Sequence, residues 1–242
     1  MADVMLVLLA ISILVGGITV AGVLVWWERR LLGFWQDRLG PNRIGPFGIG
    51  QLGADIIKLL FKDDWVPPFA DRFVFVLAPT AIIASMMMGF AVVPVAPGVH
   101  IVDLNIGLLF FLGMSALAVY SVLLGGLASN NKYALLGGLR SASQMVSYEV
   151  FMGLSLMGVV MITGSFSLVD IVEAQEEVWF CFSQILGLFV FVIAGIAESH
   201  RLPFDLPEAE HELTAGFHTE YGGMKFAMFM LGEYLGLALI SC

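Results

Sequence analysis

Two glutamates lie inside long apolar stretches of this 242-residue chain, where an ionised side chain is costly. Glu149 falls within SYEVFMGLSLMGVVMITG and Glu233 within KFAMFMLGEYLGLALI. If these stretches cross a membrane, a charge near the bilayer centre costs about 2.5–3.5 kcal/mol, so residues of this kind usually have a function, often in moving protons or ions. A protonated glutamate that pairs across helices for packing is the alternative. Glu198, where another apolar stretch ends, is a third candidate.

The segment that begins at Glu198, ESHRLPFDLPEAEHELTAGFHTEYGGMK, is rich in further candidates. Its other acids are Asp205, Glu208, Glu210, Glu212 and Glu220, and its cations are Arg201 and Lys225. A solvated acidic loop is one interpretation, but the bulky apolar residues between the acids argue against it. If Pro207 opens a helix, Glu208 and Glu212 share one face at i and i+4, where each disfavours ionisation of the other. Such a coupled set, if poorly hydrated, can hold and release protons near neutral pH.

The histidines and cysteines do not have the spacing of a metal site. The pattern HExxH beginning at His211 fails because Ala215 occupies the place of its second histidine. All four histidines fall in predicted loops, so no pair faces another across two helices as in a haem-binding bundle. The two cysteines, Cys181 and Cys242, form no CxxC pair, which argues against a zinc site or an iron–sulfur cluster. We therefore predict no metal site, and we expect any redox cofactor to lie on a partner.

The loop between the first two apolar stretches carries most of the basic residues. Its arginines are Arg29, Arg30, Arg38 and Arg43. They either anchor the chain to anionic lipid or, beside a cavity, orient a polar headgroup. Further along this loop, Asp55 and two lysines recur at i, i+3 and i+7 while apolar residues fill the rest of the stretch 54–61. This spacing predicts an amphipathic helix at the membrane surface.

The composition places these residues in a membrane protein. Of the residues, 59% are hydrophobic and 13% are charged, whereas an ordinary soluble domain has about 25% charged residues. The mean hydropathy is +0.93. These values exclude a disordered or coiled-coil chain and favour a polytopic protein in the lipid bilayer.

The apolar runs predict an all-α polytopic membrane protein, with about six transmembrane helices in a single membrane domain covering residues 1–242. The runs lie at about 4–27, 73–94, 104–128, 146–168, 179–197 and 226–242. The first has no basic residues before it and no cleavage signal, so we expect a retained span and not a signal peptide. The sixth is still apolar at Cys242, so we expect further C-terminal spans to be missing from this chain.

The distribution of basic residues predicts the orientation. All 11 lysines and arginines fall in predicted loops one, three and five. By the positive-inside rule these loops face the cytoplasm, and the N-terminus is then periplasmic.

One stretch matches a dinucleotide-binding motif in its residues but not in its predicted surroundings. The stretch GIGQLG at 48–53 matches GxGxxG, but that motif requires a preceding strand and a βαβ unit. Here it follows a proline-rich loop between two spans, so we do not expect it to bind a nucleotide. The net charge of -9 gives no reason to expect a nucleic-acid partner either.

Four strings of the sequence together resemble one family. They are ERRLLGFWQDRLGPNRIGPFG, ADIIKLLFKDDW, ASNNKYALLGGLRSASQMVSYE and AESHRLPFDLPEAEHELTAGFHTEYGGMKFAMFMLGEY. The sequence resembles the H subunits of bacterial proton-pumping NADH:quinone oxidoreductases, respiratory complex I, whose mitochondrial counterpart is subunit 1. The resemblance covers essentially the whole chain, although members of the family are usually longer and have eight spans.

The resemblance implies a subunit of the bacterial inner membrane at the junction of the membrane arm and the peripheral arm. Its implied partners are the peripheral-arm iron–sulfur and quinone-site subunits and the small membrane subunits that lead to antiporter-like subunits. A membrane quinone is the implied substrate, while FMN and iron–sulfur clusters are carried only by partner subunits.

The resemblance also implies roles for individual residues. The implied quinone-chamber residues are Arg29, Arg38, Asp55, Arg201, Asp205, Glu208, Glu210 and Glu212. The implied carboxylate path toward the antiporter-like subunits consists of Glu149, Glu198, Glu220 and Glu233.

The implied function is to form the quinone chamber and to couple quinone reduction to proton translocation, without a complete active site in this chain alone. The homologous coupling subunit of a membrane-bound hydrogenase is one alternative. A stand-alone ion antiporter is another, which the lack of an inverted repeat in the hydropathy disfavours.

Overall fold

The fold is given by a computed structural model that describes residues 2–96, 98–176, 178–208 and 214–242. Within these residues the backbone is helical, with an isolated bridge between Ala96 and Val99 and no strand. The prediction of an all-α polytopic membrane protein is therefore confirmed.

Nine α-helices lie in the described residues. They are α1 (Ala2–Trp35), α2 (Gln51–Phe61), α3 (Arg72–Gly89), α4 (Gly107–Ala128), α5 (Lys132–Thr163), α6 (Leu168–Glu173), α7 (Phe180–Ser183), α8 (Ile185–Glu198) and α9 (Gly223–Ser241). Short 3-10 turns occur at Pro46–Gly48, Leu206–Glu208 and Gly216–His218.

Helices α1 and α5 extend well beyond the apolar runs of the sequence. Helix α1 continues to Trp35, and α5 begins at Lys132 and not near residue 146. Asn131 caps α5, since its side chain accepts a hydrogen bond from the backbone N–H of Tyr133 at 2.9 Å. The 32 residues of α5 measure about 48 Å, more than a hydrocarbon core of about 30 Å. Arg140, which the sequence placed in a loop, lies on this long helix.

The fifth apolar run, 179–197, does not form one long helix. It is divided at Gln184 into α7, with 4 residues, and α8, with 14 residues. Gln184 has φ -121° and ψ 45°, and its side chain fills the space beside Gly158, where a Cβ would lie 2.9 Å from its Oε1. Five helices in the described residues, α1, α3, α4, α5 and α9, are long and apolar enough to cross a membrane. The sequence predicts about six spans, and the remaining run contains the shorter apolar helix α8.

The long helices pack against one another. Helices α3, α4 and α5 are neighbours in space, α8 lies against α5, and α9 lies against both α3 and α1. The approach of α9 to α3 requires small residues. A Cβ at Gly232 would lie 2.9 Å from Cγ1 of Ile82, and one at Gly236 would lie 3.3 Å from Cε of Met86. Glycines four residues apart are typical of close packing between membrane helices.

The first loop folds back on itself before α2. Gly48 has a φ of +78°, and a Cβ there would lie 2.0 Å from the carbonyl oxygen of Pro41, so only glycine fits. Helix α2 then begins at Gln51, none of its residues is fully buried, and it contacts α1 and α9. The helix predicted in this loop is therefore present, and its position at a membrane surface stays a prediction.

Candidate functional site

Glu198, the last residue of α8, is a deeply buried carboxylate that is 6% exposed. The hydroxyl of Ser115 on α4 donates a hydrogen bond to its Oε1. Its Oε2 is buried and makes no hydrogen bond within the described residues. Glu149 on α5 is half-buried and lies near enough to repel Glu198 electrostatically. Three helices therefore contribute a hydroxyl in contact with Glu198 and a second carboxylate within electrostatic reach of it.

A small cavity lies beside Glu198, with room for about one water molecule. Its polar lining consists of Glu198, Ser199, His200 and Glu233. Apolar side chains of α3, α4, α5 and α9 close the rest of it. Glu198 and Glu233, which are separate in the sequence, thus border one internal space.

The segment that follows α8 is held against α5 by Gln144. Its side-chain Nε2 donates hydrogen bonds to the carbonyl oxygens of Ala197 and Phe204, both at 2.8 Å. Asp205 comes next and is half-buried, and Glu208 ends a short 3-10 turn. The expected face shared by Glu208 and Glu212 cannot be compared with the structure, because Glu210, Glu212 and the side chain of Glu208 lie outside the described residues.

Arg201 joins this segment to two helices. Its Nη1 donates to both carboxylate oxygens of Glu28 on α1, at 3.0 and 3.1 Å. The hydroxyl of Tyr234 on α9 donates to the same carboxylate at 2.7 Å, and the guanidinium lies 4.2 Å from the centre of the Tyr234 ring. Burial alone would lower the pKa of Arg201, but the negative potential of its neighbours outweighs burial and raises that pKa above its usual value. Arg201 therefore stays charged.

Two histidines near this cluster are held neutral. Burial lowers the pKa of His200 to about 4, and the positive charge of Arg201 and the nearby His218 contribute to this lowering. Burial likewise lowers the pKa of His218 to about 4. The rings of Phe217 and Phe226 lie 5.0 and 5.4 Å from the His218 ring, which explains this burial.

The predicted residues of the first loop, Arg29, Arg38 and Asp55, lie on α1, just after α1 and on α2. Arg29 donates to Oδ2 of Asp55 at 2.5 Å, and Gln51 donates to Oδ1 of the same carboxylate at 2.9 Å. Arg38 lies apart from this pair, and its Nε donates to the side-chain oxygen of Gln36 at 2.7 Å. The structure thus brings Arg29 and Asp55 together but not Arg38.

Arg30 stabilises the turn that precedes α2. Its Nη1 donates to the carbonyl oxygen of Phe47 at 2.8 Å, and its guanidinium lies 5.5 and 5.1 Å from the ring centres of Trp26 and Phe47. Trp26 donates to the same carbonyl at 3.2 Å. This arginine therefore fixes the loop beside the Arg29–Asp55 pair.

Glu220 lies at another junction, between the start of α5 and the segment before α9. It accepts a hydrogen bond at 2.7 Å from the side chain of Asn131, the N-cap of α5. Close to it in sequence, the nearly buried ammonium of Lys225 pairs with Asp64 at 2.6 Å. These contacts attach the start of α9 to neighbouring segments.

The predicted residues therefore lie in different parts of the structure. Glu149, Glu198 and Glu233 lie around the buried core, Arg201 lies beside them, and the remaining described candidates lie on loops and helix ends. Within the described residues, no three His, Cys, Asp or Glu side chains are arranged to hold a metal ion.

The sequence did not single out Glu28, Tyr234, Ser115 or Gln144, although each contacts a predicted residue or the segment that carries one. A signal existed for Glu28, which is the first charged residue after the long uncharged run of α1. A signal also existed for Tyr234, because it adjoins Glu233 in an apolar helix. Serine and glutamine carry no charge that would mark them in an apolar helix, and their partners become visible only in three dimensions.

The sequence comparisons identify the family of the chain. A family model described as NADH dehydrogenase matches residues 6–242. The H subunit of the NADH-quinone oxidoreductase of Methylococcus capsulatus is 60% identical over 231 residues, which are 96% of this chain and 73% of that protein. The chain therefore belongs to the family of H subunits of the NADH-quinone oxidoreductases, the enzymes of respiratory complex I.

Proposed function

We propose that this multi-pass membrane subunit of complex I forms part of the quinone chamber and couples quinone reduction to proton translocation through its buried carboxylates. The observation that carries the proposal is the line of polar groups that runs from Glu149 and Glu198, past the shared cavity and Glu233, to Arg201 and Glu28. Buried ionisable groups are costly in a membrane protein, so a connected set of them favours a function in charge movement.

The chamber in this proposal is lined by residues of the first loop and of the segment after α8. They are Arg29, Arg38, Asp55, Arg201, Asp205, Glu208, Glu210 and Glu212. Arg201, in the segment after α8, pairs with Glu28, which precedes Arg29 in α1. This contact supports a chamber lined by both segments. A fixed guanidinium and nearby acids can orient the polar headgroup of a quinone while apolar helix faces hold its tail.

The proton path in this proposal consists of Glu149, Glu198, Glu220 and Glu233. Glu149 is supported by its electrostatic interaction with Glu198, and Glu198 and Glu233 are supported by the cavity that they share. Glu220 is farther along the chain and is supported by its hydrogen bond to the start of α5.

Electrons reach the quinone, in this proposal, from NADH through FMN and iron–sulfur clusters on peripheral-arm subunits. Small membrane subunits that lead to antiporter-like subunits receive the protons or the conformational signal. The complex would lie in the bacterial inner membrane. The N-terminus of this chain would be periplasmic, which the positive-inside rule supports through the distribution of lysines and arginines in the sequence.

The test uses the whole complex in proteoliposomes. Glu149→Gln and Glu198→Gln should lower proton translocation per NADH oxidised while the complex stays assembled, and Asp205→Asn should lower quinone reduction. Glu173→Gln is the matched control, because Glu173 is an exposed acid at the end of α6 and is not among the candidates. If all three candidate variants pump and reduce quinone like the control, the proposal is wrong.

A further inference from the structure

The cavity beside Glu198 is lined by one titratable residue that the proposed proton path does not include, His200. His200 lines it and is 5% exposed. Its Nε2 is buried, as is Oε2 of Glu198, and neither atom makes a hydrogen bond within the described residues. Glu233 borders the same cavity from α9. Three residues whose side chains can bind water therefore line a space of about the size of one water molecule.

The backbone at His200 is unusual for a residue with a side chain. Its φ is +49°, in the left-handed region. The backbone N–H of Arg201 donates to the carbonyl oxygen of Ile196 at 3.2 Å, so His200 occupies the position just beyond α8 where helices most often carry glycine. A bulky side chain is disfavoured there. A residue that lines the cavity therefore has a backbone conformation that is usually strained for residues other than glycine.

We propose that His200 is a positioning residue that holds a water molecule between Glu198 and Glu233. The water accepts a proton from the carboxyl group of one glutamate and gives one of its own to the carboxylate of the other, so that one proton moves and the water is restored. This inference rests on the proposed proton path, and it adds to that path a residue that is not itself a carboxylate.

The charge state of His200 suits this role. Burial, with the charge of Arg201 and the nearby His218, lowers the pKa of His200 to about 4. The imidazole therefore stays neutral near pH 7 and does not compete for the proton that the water transfers. Either neutral tautomer can serve, because a water molecule both donates and accepts hydrogen bonds.

Two substitutions of His200 distinguish the roles of its two ring nitrogens. The amide of His200→Gln can reach the place of Nε2, while the shorter amide of His200→Asn reaches only the place of Nδ1. Asparagine also tolerates the left-handed backbone better than histidine does, so His200→Asn should fold at least as well as the wild type. His218→Asn is the matched control, because His218 is also neutral and is half-buried, but it does not line the cavity.

The measurement is the rate of NADH-driven proton translocation by the whole complex in proteoliposomes. We expect His200→Asn to lower it about three- to tenfold, as for the loss of one hydrogen bond to the transferring water. His200→Gln and His218→Asn should keep most of it. A wild-type value in His200→Asn, or an equal loss in His200→Gln, would overturn the role of Nε2.

Two further measurements distinguish the possible failures. If Glu198→Gln also pumps normally, the proposed proton path itself is wrong, whereas a loss in Glu198→Gln with none in His200→Asn removes only the role of His200. The carbonyl stretching band of protonated Glu198, identified by its absence in Glu198→Gln, should shift in infrared spectra of His200→Asn and not in those of His218→Asn. An unshifted band in His200→Asn would contradict a shared water.

Discussion

Replacing Glu28 by glutamine should detach the segment that carries Arg201 from helix α1. The Glu28 carboxylate accepts two hydrogen bonds from Arg201, at 3.0 and 3.1 Å, and one from Tyr234 at 2.7 Å. Glutamine has nearly the same shape but no charge. The variant therefore removes the ion pair and keeps the packing of α1 against α9.

The size of the effect follows from the burial of the pair. Removing one partner of a fully buried ion pair costs about 3–5 kcal/mol. Here the side chains of Arg201 and Glu28 are 25% and 36% exposed, so solvent screening reduces the loss to about 2 kcal/mol. At about 1.4 kcal/mol per factor of ten, the population with Arg201 detached should rise about 30-fold. Tyr234→Phe loses one hydrogen bond of about 1 kcal/mol and should raise it about fivefold.

Hydrogen exchange of the whole complex, read by mass spectrometry, measures this population, because amides exchange in proportion to the fraction that is open. The backbone of residues 201–208 should exchange faster in Glu28→Gln by the factor given above. Asp55→Asn is the control, since its partner Arg29 is 52% exposed and the pair does not involve Arg201. If residues 201–208 exchange as slowly in Glu28→Gln as in the wild type, the ion pair does not hold this segment and the reasoning is refuted.

Two further predictions concern stability. His200 and His218 have a pKa of about 4 in the folded protein and about 6.5 when unfolded, so stability should fall as the pH drops from about 6.5 to 4, by at most roughly 3 kcal/mol for each histidine. Activity half-lives measured against pH should show this fall, and it should be smaller in His218→Asn; an equal fall in both proteins would contradict the assignment. Gly232→Ala places a Cβ 2.9 Å from Ile82 and should cost about 1–3 kcal/mol by overpacking. Gly113→Ala, with nothing within 4 Å of its Cβ, should be neutral or stabilising by up to about 1 kcal/mol, and thermal inactivation of the complex compares the two.

Some of the candidate site could be found from the sequence because a charge in an apolar run is conspicuous. Glu149 and Glu233 are of this kind. The pairings of Glu28 with Arg201 and of Ser115 with Glu198 could not be found in this way, because the partners are 173 and 83 positions apart in the chain. Pairing at such separations depends on which helices are neighbours, and a hydropathy pattern does not contain that information.

The helix boundaries differ from the predicted runs for a related physical reason. Hydropathy measures transfer from water to lipid, whereas a helix continues wherever backbone hydrogen bonds and local propensity allow. Helix α5 therefore begins at its cap, Asn131, well before the apolar run. Conversely, the fifth run is apolar almost throughout, yet it breaks at Gln184, which packs against Gly158 of α5. Apolarity alone cannot indicate such a break.

Helix α9 connects the two halves of the site through adjacent residues. Successive side chains of a helix point about 100° apart, so Glu233 borders the cavity with Glu198 while Tyr234 contacts Glu28 and Arg201. Both residues belong to one continuous helix whose glycines hold it close to α3. A rotation of α9 that moved Tyr234 away from Glu28 would therefore also move Glu233 relative to the cavity. A movement of the whole helix would thus displace the ion pair at the loop and the carboxylate in the core together, which is a geometry that the proposed coupling between quinone chemistry and proton movement would use.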